Sequence, residues 1–79
     1  MSASTGLVRL TELNTGESGT IVRIEIGRMV NHRLVSLGFT PGVKLEMHRN
    51  YGFGPLIVTV RGTQVALGRG EASKIEVKR

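Results

Sequence analysis

The sequence predicts a mainly β domain, a small barrel of about five short strands with one short helix inserted after the first strand. Several short segments alternate apolar and polar residues, which is the period-two pattern of strands that bury one face. One segment, over residues 30–37, changes to helical spacing. With 79 residues, the chain has room for one domain, and a barrel gives it a core without long exposed sheet edges.

Residues 1–8 are predicted to form a flexible N-terminus, and residues 9–79 a single domain. Nothing in the first eight residues can anchor them, and they lack the basic and apolar stretches of a signal peptide. Leu10 and Leu13 are spaced for one helical turn or a tight loop. The first strand follows over Thr20–Ile26, where β-branched residues dominate.

The one predicted helix carries a single apolar stripe. Val30, Leu34 and Leu37 stand at i, i+4 and i+7, which places them on one face over nine or ten residues. Gly38 suits the left-handed position just past the helix end, where Phe39 would contact Leu34 in a Schellman cap. The end of the helix is therefore well marked, and a Pro-Gly pair soon afterwards prevents its continuation.

The start of this helix is open, since Gly27 and Asn31 can each cap it. Four further strands follow, each marked by alternating or continuous apolar residues. They are Val43–His48, Leu56–Val60, a strand with Val65 and Leu67 on one face, and a last strand with Ile75 and Val77. Turn residues separate them at the hairpin loop Asn50–Pro55, the tight turn Arg61–Thr63, and Gly68–Ser73, a short turn or single helical turn.

Short strands and the length of the chain favour an SH3-like barrel over an OB-fold, because 79 residues is tight for an OB barrel. The apolar residues on the inward faces of these elements form the predicted core. They are Ile21, Ile24, Leu34, Leu37, Phe39, Val43, Leu45, Leu56, Val58, Val60, Val65, Leu67, Ile75 and Val77.

Composition excludes several classes of protein. There is no Cys, so neither a disulfide framework nor a thiolate metal site can form. No apolar run approaches the roughly 20 residues of a membrane-spanning helix. Eleven Lys and Arg against six Glu, with no Asp, give a net charge of +5. We therefore expect an intracellular globular domain whose charge permits an acidic partner: nucleic acid, an anionic membrane surface or an acidic protein face.

Metal binding has little support in the sequence. The two histidines are His32 on the predicted helix and His48 on the second predicted strand. A closed cage would need both of them together with Glu25 or Glu46, and nothing in the pattern brings them together. We predict no metal site, and His32 and His48 are weak candidates at most.

Catalysis and nucleotide binding have no better support. Ser18, Ser36 and Ser73 are nucleophiles by residue type, but no Asp is present to orient a histidine. The two Gly-x-Gly pairs, at 52–54 and 68–70, lie in turns and not in the strand–turn–helix unit that holds a phosphate. We expect no enzyme activity and no cofactor.

Nucleic-acid binding is the generic alternative. Arg49, Tyr51, Phe53 and Arg61 cluster around one predicted hairpin, which is the mixture that small barrels use to bind RNA or single-stranded DNA. The chain has only three aromatic residues, however, and its other basic residues are spread along the sequence. A small basic barrel that binds RNA or single-stranded nucleic acid therefore remains the second hypothesis.

The order of the sequence motifs along the chain is more specific than its composition. The first half contains Gly16–Ile24 (G-x-x-G-x-I-x-x-I) and Arg33–Gly42 (R-L-x-S-L-G-F-x-P-G). The second half contains Gly54–Gly62 (G-P-L-I-V-x-V-x-G), Val65–Leu67 and Ala72–Val77 (A-x-x-I-x-V). In this order, and over residues 10–77, the motifs resemble the FeoA family of ferrous iron transport accessory proteins.

The resemblance implies an SH3-like fold and a cytoplasmic role beside FeoB. FeoB is a membrane transporter that imports ferrous iron and carries its own guanine-nucleotide-binding domain. FeoA-like proteins are thought to contact FeoB on its cytoplasmic side, so recruitment by this partner to the inner face of the membrane is implied, without insertion into it. Ferrous iron is then the ion that the system transports, and this chain is not expected to hold it tightly.

The same barrel resembles the C-terminal domain of iron-dependent repressors of the DtxR type. That domain is normally fused to a helix-turn-helix and a dimerisation domain, for which this chain has no room. A stand-alone FeoA is therefore preferred.

Two hypotheses result. In the first, the chain is an interaction module that binds and modulates FeoB. Its contacts would be Arg49, Tyr51 and Phe53 at the hairpin tip, and Arg28 and Arg33 on the exposed side of the helix. The second is the nucleic-acid-binding barrel, which we regard as the less favoured partner class. An exposed strand edge would also allow two copies to pair weakly.

Overall fold

The computed structural model describes residues 6–25 and 28–79, and for residues 28–31 the backbone alone. Within these residues the chain forms a mainly β domain, which confirms the predicted fold class, with six strands where about five were predicted. A single 3₁₀ turn spans Leu10–Glu12. The strands and helices are β1 (Leu7–Arg9), β2 (Ser18–Ile24), α1 (Arg28–Ser36), β3 (Lys44–Arg49), β4 (Leu56–Val60), β5 (Thr63–Leu67), α2 (Arg69–Ala72) and β6 (Ile75–Lys78).

All six strands belong to one antiparallel sheet in the order β1-β6-β2-β3-β4-β5. Along β3 and β4 buried and exposed residues alternate, as the period-two pattern requires. The strand β6 is the last in sequence, yet it lies between β1 and β2, so Lys78 has Leu7 on one side and Thr20 on the other. The inner face of the sheet surrounds the core.

Residues 7 and 8, which were predicted to belong to a flexible N-terminus, lie in the strand β1. Leu7, Val8 and Arg9 pair with β6, and the amide of Arg79 donates to the carbonyl of Gly6 at 3.0 Å. Three residues are too few to show a periodicity, and their partner strand is about seventy residues away, so the sequence pattern contains no sign of this pairing. The first five residues lie outside the described part of the chain.

The helix α1 ends as the sequence predicts. The amide of Phe39 donates to the carbonyl of Leu34 at 2.9 Å, and the amide of Gly38 donates to that of Val35 at 3.0 Å. This pair of bonds is the Schellman motif, and Gly38 has the positive φ of 102° that the motif needs. Leu34 and Phe39 are both fully buried. The helix is thereby fixed to the sheet at its C-terminal end.

The start of α1 is only partly described. The helix begins at Arg28, so Asn31 lies inside it and does not cap it. Gly27, the other predicted cap, and Ile26, the predicted strand end, lie outside the described residues, as does the side chain of Val30.

The core consists of fifteen buried apolar residues, and no polar or charged side chain is buried among the described residues. Most of the predicted core is confirmed, but Ile24 and Val43 are only partly buried. Leu37 is 36% exposed, because it follows the last residue of α1 and the chain reverses at Gly38 directly after it. The core residues that the prediction omitted are Leu10, Leu13, Met47 and Ala72.

The tight turn between β4 and β5 is confirmed as a two-residue hairpin. Val60 pairs with Thr63, and the two residues between them have positive φ, 52° at Arg61 and 79° at Gly62. These values are typical of a type I′ turn, whose twist matches that of the flanking strands. Neither helix in the described ranges is long and apolar enough to cross a membrane.

Candidate interaction surface

The loop between β3 and β4 displays two aromatic side chains to solvent. Tyr51 is 65% exposed and Phe53 74% exposed, and Arg49 is exposed at the end of β3. We call these three residues the hairpin tip. All three predicted contact residues of this loop are therefore accessible to a partner. Exposed aromatic residues next to an arginine are the composition typical of binding hot spots.

Asn50 holds the base of this loop. Its side-chain amide donates to the carbonyls of Thr11 at 3.0 Å and Leu13 at 2.7 Å, and its backbone amide donates to Oγ1 of Thr15 at 2.9 Å. Its Oδ1 accepts from the amide of Gly52 at 3.0 Å, an Asx turn. The aromatic side chains are thus carried by a loop whose first residue is fixed to the 3₁₀ turn.

The helix α2 connects the two regions that were predicted to contact a partner. Arg69 donates to Oδ1 of Asn50, which ties α2 to the hairpin loop. Glu71 accepts a hydrogen bond and forms an ion pair with Arg33 of α1, and its other oxygen accepts from the amide of Gly68 at 3.3 Å. The hydrogen bond from Arg33 is the main cause that lowers the pKa of Glu71 below its ordinary 4.5. One short helix therefore fixes both α1 and the loop.

Of the two predicted contact residues on α1, the structure describes the side chain of Arg33 but not that of Arg28. Arg33 is half exposed, but its guanidinium is already occupied by Glu71. The side chain of Arg28 lies outside the described residues. Val35 on α1 and Leu37 directly after it are 46% and 36% exposed, and the sequence analysis named neither as a contact residue. The helix thus presents apolar surface next to an occupied cation.

The basic residues differ in whether a carboxylate lies close to them. Arg9, Arg23, Arg33 and Arg79 each lie within 4.0 Å of a glutamate. The pKa of Glu25 is lowered, first by the hydrogen bond from Arg9 and then by the charge of Arg23. Among the described side chains, those of Lys44, Arg49, Arg61, Arg69, Lys74 and Lys78 have no such carboxylate partner, and the part-buried Arg69 donates to Asn50 instead. The uncompensated positive charge lies on this second group.

The structure does not group His32 or His48 with two further ligand-type side chains among the described residues. His32 on α1 and His48 on β3 are both exposed. The described residues contain no group of three or more His, Asp or Glu side chains that would hold a metal ion.

Two of the three serines that are nucleophiles by residue type donate hydrogen bonds to backbone carbonyls. Ser36 donates to the carbonyl of Arg33 at 2.7 Å, and Ser73 donates to that of Gly70 at 2.8 Å. Both hydroxyls therefore satisfy backbone carbonyls at helix ends. Ser18 lies on β2 beside a surface groove lined by Lys44, Glu46 and Arg61.

Sequence reasoning missed Asn50, Arg69 and Glu71. An Asn two residues before a glycine in a hairpin loop is a signal for an Asx turn, so the role of Asn50 was partly readable. The partners of Arg69 and Glu71 are 19 and 38 residues away, and no local pattern indicates them.

The family model described as the FeoA domain matches residues 8–79. The chain belongs to the FeoA family. It is 41% identical over 63 residues to the Fe(2+) transport protein A of Methanocaldococcus jannaschii, a match that covers 80% of this chain and 76% of that protein. It is also 32% identical over 72 residues to an Fe(2+) transport protein A/Fe(2+) transporter FeoB fusion protein of Porphyromonas gingivalis. That match covers 90% of this chain but only 8% of the fusion protein.

Solved structures agree with the family assignment. A crystal structure of an iron uptake regulatory protein, FeoA, matches with a TM-score of 0.85 and 35% identity, over 91% of this chain and 96% of that one. The FeoA of Stenotrophomonas maltophilia, solved in complex with zinc and described as an SH3 domain protein, matches with a TM-score of 0.79 and 29% identity. That match covers 90% of this chain and 89% of the other. The predicted family and its SH3-like fold are therefore confirmed.

Proposed function

We propose that this FeoA-family chain is a cytoplasmic accessory protein that binds a FeoB-type ferrous iron transporter and modulates it. The observation that carries the proposal is the similarity to a part of a FeoA/FeoB fusion protein. A covalent fusion holds two domains at an effective concentration of about millimolar or more, so it favours pairs that act in contact. In proteins where the two are separate, a docking surface has to replace the covalent link.

The hairpin tip is the proposed docking surface, together with the exposed side of α1, to which it is linked through α2. Tyr51 and Phe53 are large and exposed, and Asn50 orders the loop before any partner arrives. An ordered loop loses less conformational entropy on binding than a mobile one. Arg28 and Arg33 belong to the proposed surface through α1. Ferrous iron is the cargo of the transporter in this proposal, and the chain itself needs no cofactor.

The test is a binding measurement between the full chain and the cytoplasmic guanine-nucleotide-binding domain of a FeoB-type transporter. We expect Tyr51→Ala and Phe53→Ala each to weaken binding about tenfold or more, as loss of an aromatic hot spot does. Val22→Ala is the matched control, because Val22 is an exposed apolar residue on β2, away from the hairpin loop. All three variants should unfold within a few degrees of the wild type.

Unchanged affinity in both aromatic variants would remove the hairpin tip from the proposal. Failure of the wild-type chain to bind the transporter domain would overturn the proposed function. The nucleic-acid hypothesis would be favoured instead if the chain bound RNA and not the transporter domain. The logarithm of the RNA affinity should then fall by about 0.7 per phosphate contacted for each tenfold rise in salt concentration.

A further inference from the structure

Three basic residues occupy neighbouring backbone positions across the sheet. Thr20 pairs with Lys78 of β6 on one side and with Lys44 of β3 on the other. Leu45 pairs with Val60, so Arg61 at the β4–β5 turn follows beside Lys44. All three cations are exposed, which places them on the outer face of the sheet or at its rim. We call Lys78, Lys44 and Arg61 the basic row.

The three cations of the basic row form no ion pair with the described residues of the domain. None of its three side chains lies within 4.0 Å of a carboxylate in the described part of the chain, whereas Arg9, Arg23, Arg33 and Arg79 do. Adjacent strands are about 4.8 Å apart, so Lys78 and Lys44 are separated by about 10 Å at the backbone. Like charges at this spacing repel one another, and a partner anion would relieve that repulsion.

Arg61 is an unusual residue for its position. Its φ of 52° is the left-handed conformation, which type I′ turns usually give to Asn, Asp or Gly. A Cβ built on Gly38 would stand 3.1 Å from Cδ of Arg61, so the stem of this arginine lies against the end of α1. The side chain is thereby pre-oriented, and less entropy is lost when its guanidinium binds a ligand.

A groove of about 350 Å³ opens at the Lys44–Arg61 end of the basic row. Its lining adds the hydroxyls of Ser18 and Thr59 and one carboxylate, Glu46. Two cations and one anion leave a local charge of about +1, which suits a singly charged carboxylate better than a doubly charged phosphate.

The position of the groove also argues against a nucleic-acid strand. Tyr51 and Phe53 follow the far end of β3, about 17 Å from Lys44 at the rise of a strand, so no aromatic side chain is available to stack a base here.

We propose that the basic row and its groove bind carboxylate side chains of an acidic segment on the cytoplasmic part of the transporter, an inference that rests on the proposed function. The guanidinium of Arg61 offers a planar pair of donors to one carboxylate, and Lys44 and Lys78 attract its neighbours. This second surface lies at the opposite end of β3 from the hairpin tip. The transporter therefore contacts the barrel at both ends of the β3–β4 pair.

The test measures how tightly charge-reversal variants of the full chain bind the cytoplasmic domain of the transporter. The double variant Lys44→Glu, Lys78→Glu should weaken binding about tenfold or more at low salt, and the difference should shrink as salt rises. The matched control is Lys44→Glu against Lys74→Glu: Lys74 is equally without a carboxylate partner, but it lies in the turn before β6.

Arg61 is tested with Arg61→Asn, which removes the guanidinium but keeps a residue that tolerates positive φ. A carbodiimide, which joins amines to carboxylates in contact, should cross-link Lys44 or Lys78 to an acidic residue of the transporter domain and should not cross-link Lys74. Either result, a tenfold selective loss or the selective cross-link, supports the proposal.

Equal binding by the matched single variants Lys44→Glu and Lys74→Glu, with wild-type binding intact, would overturn this inference and leave the proposed function standing. Absence of wild-type binding would overturn both. Selective loss of binding to vesicles with anionic lipid, with transporter binding unchanged, would also overturn it, because the row would then serve a membrane surface.

Discussion

Asn50 and Arg69 are joined by a hydrogen bond that ties the base of the β3–β4 loop to α2. Asn50 also donates to the carbonyls of Thr11 and Leu13, so one partly buried side chain connects three separate segments. The exposed aromatic residues one and three positions later depend on this connection for their placement.

Asn50→Ala should therefore destabilise the domain and loosen the hairpin tip. The carbonyls of Thr11 and Leu13 and the guanidinium of Arg69 would lose their shared partner, at a cost of about 1–3 kcal/mol in the free energy of unfolding. Urea denaturation measures this cost, and hydrogen exchange measures the opening of the loop. Wild-type stability together with wild-type exchange at Gly52 would contradict the role assigned to Asn50.

Gly38→Ala should also destabilise the domain, for two reasons that act together. The residue has a φ of 102°, and an added Cβ would stand 3.1 Å from Cδ of Arg61. Left-handed conformation alone costs a residue with a Cβ about 1–2 kcal/mol. The free energy of unfolding, from urea denaturation, should fall by at least that amount.

Gly70→Ala is the control for this substitution. Gly70 lies within α2, has no positive φ, and has no atom within 4 Å of an added Cβ. Alanine at this site should leave stability unchanged or raise it by a few tenths of a kcal/mol, up to about 1. A loss at Gly70 equal to the loss at Gly38 would show that the positive φ is not the cause.

The ion pair between Arg33 and Glu71 should make stability depend on pH in the acid range. Its hydrogen bond lowers the pKa of Glu71 in the folded state below the ordinary 4.5. A lowered carboxylate pKa adds stability that is fully present above the unfolded value and is lost as pH falls through the folded one. We therefore expect the contribution to be fully present well above pH 4.5 and to be lost progressively as pH falls below 4.5 and through the lowered pKa.

The corresponding variants are Glu71→Gln and Arg33→Gln, followed by urea denaturation across the acid range. Glu71→Gln should remove this part of the acid-induced loss of stability, and Arg33→Gln should remove most of it, because the hydrogen bond from the Gly68 amide to Glu71 remains. An undiminished acid loss in both variants would assign the effect to other carboxylates, such as Glu25 with its partners Arg9 and Arg23.

Local patterns predicted most of the fold. The C-terminal end of α1 could be predicted because Leu34, Gly38 and Phe39 lie within six residues. The hydrogen bonds of this cap are local and do not depend on distant parts of the chain. The strand β4 was predicted to the residue, since its apolar run is bounded by turn residues on both sides. Leu37 was placed in the core wrongly, because the helical stripe ends where the chain reverses.

The remaining errors concern partners that are far apart in sequence. The strand β1 is visible only through its pairing with β6. The basic row required the register of three strand pairs, since Lys44, Arg61 and Lys78 share no pattern along the chain. Asn50 with Arg69, and Arg33 with Glu71, likewise meet only after folding. Sequence periodicity describes which face a residue takes, but not which residue lies next to it across the sheet.

The position of β6 between β1 and β2 has a consequence for how the chain acquires its structure. The strands β2 to β5 can pair in the order in which they are synthesised, because each neighbour follows the last along the chain. The strand β1 has no neighbour until β6 exists, and the outer side of β2 stays unpaired until then. Contacts of such long separation slow folding, since a large loop must close before they form. During synthesis on the ribosome, this sheet is therefore completed only after residues 75–78 have emerged.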